Sequence, residues 1–495
     1  MGLRPLLNCI LAAAIALTVT GCYDLPQGPE DPAADLSSGT QEEVGTREQT
    51  ITLPFYPESS LHPVLGSDRV NLTLSPLLYQ GLFELDPFFV AQPVLCESYV
   101  VSEDGLRWTF TLKTGVAFSD GTPLTAQIAA SALETARTSS RYSSRLSCVT
   151  AFGVDEDGRL TATLSRPNTG LPALLDIPVA RDNGHRPAGT SRYVLAESEM
   201  SLRLRDGHPT LPQKIELQPI ARQQELAGGL EPGGVLTLVD TDPTGTDAPG
   251  FSGTYHTVDY DTTALVYLGF NTGRSVFRTA HSRGALSSAL DRDGLVSAAF
   301  SGHALATTIP IHPASPLYNE SLARQLSSNH SARELLEQAG LAGRTVTLLV
   351  SSENTAMVTA AQLIARQLEK AGMQVKVSAL GWSDYLSALS ARQFDLYLAQ
   401  VNLTADFDLS RLVGSGGALN YTSWSASRTD ALLREFLAAP EDDRVRAAAE
   451  LCDELAQQCP ISPLCFKRSS VLVRSESGLS TLTPTRANVF YSWFK

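Results

Sequence analysis

Signatures of catalysis are missing from this 495-residue chain. It has no H-E-x-x-H, no G-x-S-x-G nucleophile elbow and no Walker A phosphate loop. None of its eight histidines lies three or four residues from another, so no helix face offers a histidine pair to a metal. Cysteine is sparse, seven in all with no C-x-x-C, which removes the usual zinc and thioredoxin-type spacings. Basic charge is in deficit: 38 Lys and Arg face 52 Asp and Glu, a formal −14. An acidic surface argues against nucleic acid and against a polybasic membrane contact. No repeat of 20–50 residues is present, which excludes solenoids and propellers. Gly414-Ser415-Gly416-Gly417 lacks a following phosphate lysine and reads as a plain loop. Asp155-Glu156-Asp157-Gly158 lacks the later Glu of a calcium loop and reads as a turn. No metal and no cofactor is implied.

A long apolar run occurs once, from Leu6 through Val19, broken by Asn8, Cys9 and Thr18. It is too short and too weakly flanked for a spanning helix, and Arg4 is the only charge in the first 21 residues. The run ends in Val19-Thr20-Gly21-Cys22, which resembles a bacterial lipobox. Residues 1–21 are therefore expected to be a lipoprotein signal peptide. Cys22 is the expected lipidation site, and the chain is expected on the outer face of the cytoplasmic membrane, lipid-anchored. Asp24 to Thr46 has almost no large apolar residue and cannot bury a core, so 22–47 reads as a tether. Cys96, Cys148, Cys452, Cys459 and Cys465 remain. An odd number leaves at least one thiol unpaired; Cys96–Cys148 and Cys459–Cys465 are candidate disulfides, and five buried small apolar residues are the alternative.

The remaining chain changes character part-way. In the first half, Trp108, Phe110 and Leu112 alternate with Thr109, Thr111 and Lys113, after an Asp104-Gly105 turn. That is a hairpin, and a second is expected to turn at Asp157-Gly158. Between them Thr125 to Arg137 is Ala-rich and unbroken, a helix with Thr125 as its N-cap. In the second half strands and helices alternate. A strand is expected at 345–350, then a helix at 355–370, where Met357, Ala361, Ile364 and Leu368 share one face. A strand at 374–379, a helix at 382–391, a strand at 394–401 and a helix at 441–458 follow. The alternation predicts a mostly parallel sheet with crossovers. Two dissimilar halves imply a cleft between lobes.

Gly105 to Ala126, GLRWTFTLKTGVAFSDGTPLTA, resembles the most recognisable stretch of the family 5 extracellular solute-binding proteins. Leu265 to Thr272 (LVYLGFNT), Ser282 to Leu295 (SRGALSSALDRDGL), Glu334 to Leu341, Phe394 to Gln400 and Cys459 to Arg474 are similar to further blocks, in family order. Ser191-Arg192 stands where the family has Gly-Pro, and Leu409 where it has a later Pro. The resemblance implies an α/β fold of mixed sheets, a two-lobed periplasmic-binding-protein-like clamshell with an extra β-rich subdomain at about 73–186. Lobe 1 would be 48–262 with a return at 474–495, lobe 2 would be 263–473, and the hinge would lie near Asp261 and Arg474. It implies a monomer, not an enzyme, that captures peptides or a similar small solute and delivers them to an ABC permease. A peptide-signal receptor without transport, a nickel- or haem-binding member, and a secreted hydrolase are the alternatives. Ala405-Asp406-Phe407-Asp408 resembles the family's acidic loop, whose first Asp holds a peptide α-amino group. Asp406, Asp408 and Asn402 are the ligand-binding candidates.

Overall fold

A computed structural model describes residues 50–494, apart from 183, 199, 246–249, 252–253, 328–330, 478, 480 and 481. The expected signal peptide, Cys22 and the tether lie outside the described residues.

Local sequence accounts for the β-rich first part. Gly105 and Gly158 take φ +70° and +78°, the left-handed backbone that their Asp-Gly turns require. The strands Cys96–Val101 and Arg107–Leu112 pair antiparallel around the first turn, and Val149–Val154 and Leu160–Leu164 around the second. The inner strands 107–112 and 160–164 join the hairpins into one four-stranded sheet. Trp108 and Phe110 are buried against Ala129 and Leu133 of the helix Ala126–Thr138. Thr125 caps that helix by accepting the N–H of Ile128 at 3.3 Å. A separate sheet is ordered 51–55, 214–219, 201–204 and 193–195. Its core includes Val471, Val473 and Phe490 from the far end of the chain.

The second part is built on a seven-stranded sheet. Two long strands, Tyr255–Phe270 and Ile461–Arg474, pair antiparallel along most of their length, with a register break between Asp261 and Leu265. Alternation divides the core. Val266, Leu268 and Phe270 face the helix Thr355–Lys370 through Ala361, Ile364 and Leu368. Leu265 and Tyr267 face the other side, where Phe436 and Leu451 come from the helices Ser427–Ala438 and Glu441–Gln458. The expected mostly parallel sheet is corrected here. Among the described strands of this sheet, only Thr345–Ser351 with Gln374–Leu380, and with Leu396–Asn402, pair parallel. The long strands run antiparallel because they carry the chain between the two parts rather than returning through helical crossovers.

All five described cysteines are free and buried. Neither expected disulfide forms, and the thiols pack as small apolar groups. Burial pushes the Cys452 and Cys465 thiols up to about 12.

Candidate functional site

The strand Leu396–Asn402 ends at a cleft. Beyond it the chain turns through Leu403 to Leu409 into the short helix Ser410–Val413. The cleft holds a cavity of about 680 Å³. Arg69, Thr73 and Arg145 line one side and Asn402, Thr404 and Arg411 the other. Its size falls in the usual range for small solutes.

Asn402 is exposed and lines this cavity. Asp406 and Asp408 line a smaller void of about 40 Å³ beside it, which shares Arg145, Asn402, Thr404 and Arg411 with the cavity. Asp406 is only 2% exposed. Its Oδ2 accepts from Asn168 Nδ2 at 2.8 Å and its Oδ1 from the N–H of Asp408 at 3.3 Å. Burial, and then the Asp408 charge, raise the Asp406 carboxyl above its ordinary value, while bonds from Thr404 and Asn168 act the other way. Asp408 pairs with Arg166 at 2.7 Å and accepts the N–H of Ser410 at 2.8 Å. Both acids are thus held by the segment Arg166–Gly170, which reaches across from the β-rich part. Thr169 completes the contact by donating to the carbonyls of Leu437 (N–H, 2.8 Å) and Ala439 (Oγ1, 2.7 Å). Gly170 is needed there, because a Cβ would stand 2.6 Å from Asp406 Cβ and 2.8 Å from Arg444 Nη1.

A second contact crosses the cleft. Phe89, at φ +63° in the turn Asp86–Val90, is buried in the core of the second part. Its ring lies 4.8 Å from that of His312 and 5.8 Å from that of Phe407.

Residues 90–418 match the profile of the bacterial extracellular solute-binding proteins, family 5 Middle. The chain belongs to this family. The glutathione-binding protein GsiB of Salmonella choleraesuis (strain SC-B67) is 25% identical over 398 residues, covering 75% of this chain and 74% of GsiB. GsiB of Escherichia coli O1:K1 / APEC is 26% identical over 400 residues, with the same coverage. Among solved structures, MppA, a periplasmic murein tripeptide-binding protein in its unliganded open form, superposes with a TM-score of 0.75. It is 18% identical, over 90% of this chain and 95% of MppA. The ABC-transporter substrate-binding protein CtaP of Listeria monocytogenes gives a TM-score of 0.70 at 20% identity, over 89% and 97%. The family 5 chain is thus a two-lobed α/β solute-binding protein of the kind that serves ABC importers. Among the described residues no helix is long and apolar enough to cross a membrane.

Sequence reasoning missed the basic lining of the cleft. Arg145, Arg411 and Arg486 are separated by 266 and 75 positions and meet only through the fold. Arg141 and Arg145 sit in a Ser-rich run with no pattern to mark them.

Proposed function

We propose that this family 5 protein captures a short peptide, or a similar small solute, between its lobes and hands it to an ABC permease. The observation that carries the reading is the cavity of about 680 Å³ opened where Leu396–Asn402 ends, walled by both parts of the chain. Strand ends in α/β lobes are where ligand groups are presented. The names of GsiB and MppA, glutathione-binding and murein tripeptide-binding, favour a peptide. In this reading lobe 1 is 48–262 with 474–495 and lobe 2 is 263–473. They hinge near Asp261 and Arg474 and close as a monomer when ligand bridges them.

Asp406 takes the ligand's α-ammonium through the small void beside the cavity, with Asn168 fixing its other oxygen; Asp408 orients the loop and Asn402 contacts the ligand backbone. A charge-assisted bond of this kind is worth roughly 1.5–3 kcal/mol. Calorimetry should find that Asp406→Asn weakens free-amine tripeptides about tenfold, as 1.4 kcal/mol requires, and leaves N-acetylated ones little changed. Equal losses for the two, or no loss, remove the assignment.

Cys22 carries the lipid that holds the protein outside the cytoplasmic membrane, as the Val-Thr-Gly-Cys tail of the leader suggests. Cell fractionation of Cys22→Ala should show the protein released or unprocessed. Normal processing with membrane retention would place the anchor elsewhere.

A further inference from the structure

The charge of the cleft opposes that of the chain. Seven basic side chains line the cavity against three acidic ones, in a protein of formal charge −14. Three of the cations have carboxylates of their own: Arg69 with Asp240 and Lys467 with Asp242, each at 2.9 Å, and Arg468 with Asp261 at 2.7 Å. Arg145 and Arg486 both reach the same buried carboxylate, Asp176. Their Nε–H groups are buried with no acceptor among the described residues. Arg141 and Arg411 are paired with no carboxylate among the described residues. Four guanidiniums therefore share one carboxylate at this end of the cavity. Asp406 is close enough to be felt by Arg145 and Arg486, and counting it as ionised still leaves a surplus of two.

Arg145, Arg411 and Arg486 are half-buried and Arg141 is exposed, so an anion bound among them supplies acceptors that the chain itself does not. Burial, and then repulsion from Arg486, already push Arg145 down to about 9. A guanidinium matches a carboxylate with two parallel N–H donors, so arginine suits this task better than lysine. Resting on the reading of the cleft as a solute site, we infer that the ligand is an anion bearing at least two acidic groups, seated between Arg411 on one side and Arg141 with the Arg145–Asp176–Arg486 cluster on the other. For a peptide this means acidic side chains in addition to the terminal carboxylate. The same field concentrates acidic solutes at the cleft mouth despite the acidic surface around it.

Calorimetry on the full chain in detergent tests this with three probes: trialanine, the tripeptide Glu-Ala-Glu, and citrate. Glu-Ala-Glu should bind at least tenfold more tightly than trialanine in low salt, and the ratio should shrink in high salt. Arg411→Gln and the exposed Arg141→Gln should each cut the ratio threefold or more. The second variant guards against a folding defect in the first. Trialanine binding as tightly as Glu-Ala-Glu overturns the inference and leaves the peptide reading standing. Citrate binding without either peptide supports the anion site and removes the peptide reading. Failure of both Glu-Ala-Glu and citrate to bind overturns the inference.

Discussion

His312 shows what one residue contributes at the lobe contact. It is fully buried, with its ring 4.8 Å from both Phe89 and Phe466. Its Nδ1 accepts the N–H of Ala314 at 3.0 Å, while its buried Nε2 has no hydrogen-bond partner among the described residues. Burial, opposed by Asp261, lowers its pKa from 6.5 to about 4. The folded chain thus refuses a proton that the unfolded chain accepts below pH 6.5. Stability is intact above that pH and falls as pH drops toward 4, by about 3 kcal/mol across the window. Urea unfolding at pH 7 and pH 4.5 should show His312→Leu losing about 2.5 kcal/mol less than the parent. Equal losses would show that other groups carry the acid sensitivity. Nothing in the sequence marks His312, because neither its aromatic neighbours nor its burial leave a local pattern. Arg283 is the opposite case. It was legible as part of SRGALSSAL, and the structure gives its role: its Nε donates to the carbonyls of Gln458 and Cys459, closing the helix Glu441–Gln458.

At the scale of elements, local chemistry was readable and convergence was not. Asp-Gly turns, the Thr125 cap and the apolar face of Thr355–Lys370 each follow from rules that act within a few residues. The long antiparallel strands and the arginine cluster depend on contacts hundreds of residues apart, which composition and period do not encode. The acidic loop was legible as a candidate, but not its coverage by Arg166–Gly170, since that contact belongs to tertiary packing. This segment and the Phe89 turn are two of the contacts that join the β-rich part to the second part. Adding a Cβ at Gly170 forces overlap with Asp406, and removing the Phe89 ring empties a buried slot, a change that costs about 3 kcal/mol in ordinary cores. X-ray scattering of ligand-free Gly170→Ala and Phe89→Ala should therefore give a larger radius of gyration than the parent. Identical radii would mean that these contacts do not set the degree of closure.

Charge and shape govern the whole molecule. An acidic chain folds into two lobes around a cavity of about 680 Å³ with more basic than acidic side chains in its lining, and in the proposed reading an anionic ligand neutralises the unmatched arginines. The cores of the lobes are apolar and conventional; the polar imbalance is concentrated where the lobes meet. The most direct test is native mass spectrometry of the full chain as purified from cells, followed by denaturation and identification of what is released. The expected result is a bound small solute, a peptide rich in Asp or Glu, lost on denaturation and depleted from Arg411→Gln. A folded protein that carries a neutral or basic solute in that cleft would contradict it.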